Sequence, residues 1–339
     1  MIIKKAGLIL ATAAALTMAG PAAAQKKTMR IDGFPPGTSV FEFTTALAGV
    51  VQKKAPYEFQ ISTTKPATRG TVDAAGGKTE LFMSAPSIYH FMKTKTAMFK
   101  DNEQAPELLT KLRGIVNYPI GSYQIVVYED SGIKSLKDLK GKKVFLGPPG
   151  GAGTTVAALL VEAATGMKPG NEYEQAKLDW ATAQQAFQDR QIDVHVSPTS
   201  IPSASIEQFA LTRKIRLLGL PEEAFGTEAM KTVMALPART VDVIPAKTYG
   251  NNQSNETDVK TVGSWVGLST HVGVDENDIY AITKTMWDNI DELRAAAPWM
   301  KIINKETAFK FMNVPLHKGA YRYYKEAGFN IPPEIVPKD

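Results

Sequence analysis

Short apolar runs alternate with stretches of helical spacing along this chain, and that alternation limits the fold more than any other feature. Met29, Arg30 and Ile31 begin a strand that ends in the turn "GFPPGTS", and residues 40–51 then repeat at helical spacing. Residues 57–62 (YEFQIS) alternate as a strand, and Leu81, Phe82 and Met83 form a short apolar strand entering "SAPS". Residues 123–128 (YQIVVY) are the strongest strand, followed by a small helix at "SLKDL" and the strand "KVFLG". Val156, Leu159, Leu160, Ala163 and Ala164 repeat as a helix that Gly166 stops. A helix over 182–190, a strand through Ile192, Val194 and Val196, and another over 216–219 follow. Residues 248–258 are polar, 259–272 read as a long strand, and Asp275 caps a helix carrying Ile279, Ile282, Met286, Trp287 and Ile290 on one side. Such an order predicts an α/β protein with largely parallel sheets. At 339 residues the chain exceeds the usual single core, which predicts two domains.

Residues 1–24 read as a secretory signal. Lys4 and Lys5 supply a positive start, residues 6–18 a short apolar centre, and Ala22-Ala23-Ala24 a cleavage site. That centre is shorter than the roughly 18 apolar residues a membrane-spanning helix requires. The mature chain is therefore expected to begin at Gln25 and to work in the periplasm. Losing the two lysines lowers the formal charge from +5 to +3. The remaining lysines are scattered among acids, which excludes a nucleic-acid footprint. There is no cysteine, hence no disulfide framework and no thiolate metal site.

The segment "GPPGGAGTT" (147–155) sits between a strand and a helix and resembles a phosphate cradle. Its spacing is wrong for one. Thr154 stands where a nucleotide-binding loop needs lysine, and Val156 occupies the third glycine position of a dinucleotide fingerprint. What remains is a helix N-terminus with exposed backbone N–H groups, open to an anion or serving only as a tight turn. Three more strand ends run into small hydroxyl-bearing segments: "GFPPGTS" (33–39), "SAPS" (84–87) and "SPTS" (197–200). Ligands of open α/β sheets bind beyond the carboxyl ends of strands. Two such segments on each of two domains would face one another across a cleft.

Catalytic constellations are not visible. His90, His195, His271 and His317 are the four histidines, and none pairs with another at i, i+4. In "VGSWVG" Gly263 stands directly before Ser264, so no nucleophile elbow forms. His195, inside an alternating strand, fits a structural or surface position as well as a ligand contact.

The stretches "SGIKSLKDLKGKKVFLGPPGGAGTT" and "VPLHKGAYRYYKEAG", together with the signal and the strand–helix order, resemble the TAXI family of TRAP-associated extracytoplasmic solute receptors. The resemblance implies a type II periplasmic-binding-protein fold: two α/β lobes joined by a hinge around a ligand cleft. It also implies capture of a small organic acid, such as glutamate or 2-oxoglutarate, for delivery to the permease of an ion-gradient-driven transporter. No enzymatic activity, cofactor, metal or nucleic-acid partner is implied, and the receptor is expected to be a monomer. Lobe one would combine residues 25–121 with 231–339, and lobe two would span 122–230. The family's first glycine-rich turn falls on residues 33–39, giving Gly37, Thr38 and Ser39 as ligand contacts. The second-lobe loop falls on 150–155, giving Gly151, Gly153, Thr154 and Thr155. Ser84 and Ser87 complete the first lobe, and Ser197 and Thr199 the second. One departure is that Thr38 continues as Ser39, Val40 and Phe41 where the family has an aromatic pair.

Arg69 and Lys65 are the cationic candidates near the cleft, with a surface position as the alternative for both. Phe34, Phe41, Tyr89 and Tyr123 fit either the wall of a ligand site or the core. In the C-terminal motif Tyr321, Tyr324 and Ala327 share one helical face, predicting a helix that braces the first lobe. A periplasmic enzyme or a sensor input on the same two-lobed fold are the competing readings.

Overall fold

The computed structural model describes residues 26–338; the secretory signal and the Gln25 start lie outside them. Ten strands form one sheet: β1 (Lys27–Asp32), β2 (Tyr57–Ser62), β3 (Leu81–Ser84), β4 (Leu112–Tyr128), β5 (Lys143–Phe145), β6 (Glu174–Gln175), β7 (Val194–Thr199), β8 (Ile215–Leu217), β9 (Arg239–Ile244) and β10 (Val259–His271). Their order is β2-β1-β3-β10-β4-β7-β5-β6, with β8 also on β4 and β9 on β10. The fold is α/β, as the alternation predicts, and two-lobed, as the resemblance implies.

The expectation of largely parallel sheets needs correcting. Parallel pairing is confined to the flanks, β1 with β2 and β3, and β5 with β6 and β7. Every pair made by β4 or β10 is antiparallel. The reason lies in the connections. On the flanks each strand returns through a helix, which enforces parallel pairing. In the centre the chain crosses from one lobe to the other along β4 and comes back beside it along β10.

β4 is 17 residues long, about 56 Å at the usual rise. It begins well before residue 123 because Gly114, Asn117, Pro119 and Gly121, weak strand formers, are paired to β10 on one side. Gly121 marks the crossing. Its φ is +116°, and a Cβ there would stand 1.9 Å from the Thr199 carbonyl oxygen. A register shift between Ser264 and Trp265 bends the ribbon at the same level, and another between Leu268 and Ser269 lies farther along, opposite Val116 and Gly114.

One hydrophobic cluster lies under the β1–β3 lobe, gathering Met29, Phe43, Leu81, Ile279, Trp287 and Tyr324. Another, with Tyr128, Phe145, Phe187 and Phe209, fills one side of the β5–β7 lobe. A third joins them, running from Phe82 and Ile88 to Val144 and Leu160. The C-terminal motif forms the helix Lys318–Glu326, packed on the first of these clusters. Tyr323, rather than Tyr321, is the second buried ring beside Tyr324, and Arg322 pairs with Glu276 at 2.7 Å.

Candidate functional site

Beyond Phe145, the chain turns at Gly147, where φ is +123° and an added Cβ would meet Thr154 Oγ1 at 2.6 Å. That hydroxyl donates to the Pro148 carbonyl at 2.7 Å and closes the loop on itself. Gly151 precedes the helix Ala152–Thr165, and no side chain caps it. The first-turn N–H groups of a helix have no partner within it, and here that turn lines a cavity of about 70 Å³ between the lobes.

Two more helices begin at the same cavity. Pro66 and Ala67 open the helix Ala67–Ala75, and Ala85 precedes the helix Pro86–Thr94; neither start has a side-chain cap. Elsewhere the comparable helices are capped, by Thr38, Asp179, Thr227, Asp275 and His317. The helix Ala204–Thr212 is the other uncapped one of at least eight described residues. Each N-terminus carries partial positive charge that favours an anion by about 0.3–1 kcal/mol. Three of them converge here, and Thr68 Oγ1 donates to the Gly150 carbonyl at 3.1 Å, so the lobes already touch across the cleft.

Arg239, the first residue of β9, lines the cavity. Its side chain is buried, at 8% exposure. Nη1 donates to Ser264 Oγ at 2.6 Å and Nη2 to Ser87 Oγ at 3.1 Å, while Nε has no partner. Its guanidinium stands 5.7 Å from the Tyr123 ring centre, within cation–π range. Burial pushes the Tyr123 phenol above its ordinary pKa, and the Arg239 charge pulls it partly back. No carboxylate pairs with Arg239 among the described residues. Burying a charge costs several kcal/mol unless an opposite charge faces it, and two serine hydroxyls do not supply one. The arrangement is that of a receptor for an external anion.

Residues 36–328 match the model of the NMT1-like family. The chain belongs to that family. Solved structures similar to this NMT1-like protein include a TRAP periplasmic solute-binding protein from Ralstonia eutropha H16 with bound (S)-2-acetolactate. Identity there is 11% and the TM-score 0.47, over 91% of this chain and 87% of that one. Another, from Shewanella oneidensis with bound succinate, has 11% identity and a TM-score of 0.46 over 81% and 82%. The alkanesulfonate-binding protein SsuA of Xanthomonas axonopodis pv. citri, bound to MOPS, has 14% identity and a TM-score of 0.45 over 93% and 83%.

Of the residues expected at the site of this NMT1-like chain, Ser84, Ser87, Gly151, Gly153 and Thr154 line the cavity, as do Phe34 and Tyr123. The others lie elsewhere. Thr38 caps its own helix by accepting from the Phe41 N–H, Ser39 donates to the Ile120 carbonyl, and a Cβ on Gly37 would meet the Gln184 side chain. Thr155 is one position past the lining turn. Ser197 and Thr199 flank Pro198, which does line the cavity; alternation along β7 turns its neighbours to the opposite face. Arg69 is 62% exposed and pairs with Asp73 at 3.3 Å, and Lys65 pairs with Asp73 at 3.1 Å, so one carboxylate occupies both. Phe41 and Tyr89 are outside the lining, Tyr89 donating to Ser269 at 2.8 Å.

Arg239 and Ser264 were invisible to sequence reasoning. The run "RTVDVI" between Pro237 and Pro245 carries a strand signal, but its apolar positions mislead: Val241 and Val243 are about half exposed while Arg239 is covered. The helix starts at Ala67 and Pro86 also went unread, although proline at a first helical position is a recognised start signal.

Proposed function

We propose that this NMT1-like protein is a periplasmic solute receptor of the TAXI type, with a type II periplasmic-binding-protein fold. It captures a small carboxylate between its lobes and presents it, as a monomer, to the permease of a TRAP-type transporter. The observation that carries this reading is Arg239, a buried guanidinium facing a cavity with no carboxylate opposite it. A ligand carboxylate supplies that charge, and each charge-assisted hydrogen bond contributes about 1.5–3 kcal/mol. Helix N-termini from both lobes border the same cavity, so an anion there holds the lobes together and favours the closed form. The proposed lobe division, 25–121 with 231–339 against 122–230, belongs to this reading; the two central strands support a chain that passes twice between the lobes, while Ile244, Tyr249 and Val259 pack with Phe187 and Phe209 of the second lobe.

A thermal-shift screen of organic acids tests the reading, because a ligand bound only to the folded state raises the melting temperature. The native protein should respond to at least one carboxylate, and the Arg239→Met variant to none. Equal shifts in both proteins would refute an anion site at Arg239.

A further inference from the structure

We infer that the solute is a small carboxylic acid with an apolar body, carrying neither an ammonium group nor a second carboxylate. This rests on the cavity being the solute site. Arg239 is the single charged residue among its described lining residues. Acids on its own strand, on the helix Ala67–Ala75 and at the end of β1 are engaged elsewhere. Asp242 accepts from Ser122 at 2.6 Å and from Thr240 at 2.9 Å, and Asp32 and Asp73 both hold Lys65. An α-ammonium would therefore enter beside a guanidinium and three helix N-termini, all positive, with no counter-charge. Amino acids are rejected on that ground.

A second carboxylate meets a different obstacle. Away from Arg239 the wall is made by Phe34, Ile88, Ile120, Trp180, Pro198 and Val266. Hydrocarbon there replaces water around any charge that reaches it, and the helix starts offer only partial charges, about 0.3–1 kcal/mol each, in place of a second cation. The same wall rewards alkyl or aryl surface.

Three ligands of matched shape test the inference by calorimetry on the native protein. 4-Methylpentanoate is the reference. Leucine adds only an ammonium at the second carbon, and succinate replaces the isopropyl end by a carboxylate of similar outline. 4-Methylpentanoate should bind at least tenfold more tightly than either. Leucine or succinate binding as tightly as 4-methylpentanoate overturns the inference, as does failure of 4-methylpentanoate to bind at millimolar concentration. Arg239→Met, with Ser264→Ala as a milder second variant, separates the two levels. If succinate binds to the native protein and is lost in both variants, the anion site stands and only the apolar acid falls. If the variants bind every ligand like the native protein, the site itself is wrong.

Discussion

Arg239 and His195 are both deeply buried polar side chains with nitrogens that no protein group satisfies, yet they sit in opposite surroundings. Arg239 borders the interlobe cavity beside hydroxyls and helix starts. His195 is enclosed by Phe145, Trp180, Phe187 and Phe209, with ring centres 5.2–6.4 Å away. Guanidinium cannot shed its charge, so its burial calls for an anion from outside. Imidazole can, and burial holds His195 neutral by lowering its pKa from 6.5 to about 3. The same defect, an unpaired buried group, is a binding site where the charge persists and a stability liability where it does not.

The largest effect that sharpens this contrast is on affinity. Arg239→Met should weaken carboxylate binding by about a hundredfold, equal to one or two charge-assisted hydrogen bonds. The unliganded variant should melt no lower than the native protein, since removing an unpaired buried charge relieves a desolvation cost. A variant that loses affinity only because it unfolds would erase the distinction.

Acid should expose the other member of the pair. His195 and His317, the latter lowered by burial to about 4, are both neutral in the fold and protonate more readily when unfolded. Their contribution is fully present above pH 6.5 and is lost as pH falls from there toward 4 for His317 and 3 for His195. Each group removes up to about 1.4 kcal/mol per pH unit within its window. Urea titrations at pH 7 and pH 5 measure the slope. His195→Phe should flatten it and raise stability at pH 7 by about 1 kcal/mol, because two unsatisfied nitrogens disappear. An unchanged slope would mean that His195 finds a partner in solution.

Gly153→Val comes next. A Cβ at Gly153 has open space on its side of the cavity, its closest neighbours being Pro198 and the Tyr123 hydroxyl at 3.9 Å. The fold accepts a small side chain, and the larger one fills space meant for solute. About a tenfold loss of affinity should result, near 1.4 kcal/mol, with helix content preserved by circular dichroism. Native affinity in a folded Gly153→Val protein would reduce the glycine loop to a turn. Smallest of all is Thr154→Ala. Its hydroxyl is spent on Pro148, so the cost falls on stability, about 0.5–1.5 kcal/mol, with little change in calorimetric affinity.

These two buried groups also show what a linear reading reaches. The glycine loop was legible because a strand, a turn and a helix start are encoded within neighbouring residues. Ser84 and Ser87 were legible for the same reason, at the end of an apolar strand. Thr38 was misjudged because a hydroxyl at a helix start suits a cap and a ligand equally well, and the cap took it. Arg69 looked available until the fold placed Asp73 one helical turn away on the same face.

Local order thus belonged to the sequence: the strand–helix alternation, the turn at Gly147 and the long strand after residue 258. Pairing direction in the centre of the sheet and the identity of the anchoring cation belonged to the tertiary structure. Ser87, Tyr123, Arg239 and Ser264 come from four separate segments, and only their convergence leaves one guanidinium buried without a counter-charge. Periodicity acts over a few residues, whereas the energy of a buried charge depends on everything packed around it, whatever its distance along the chain.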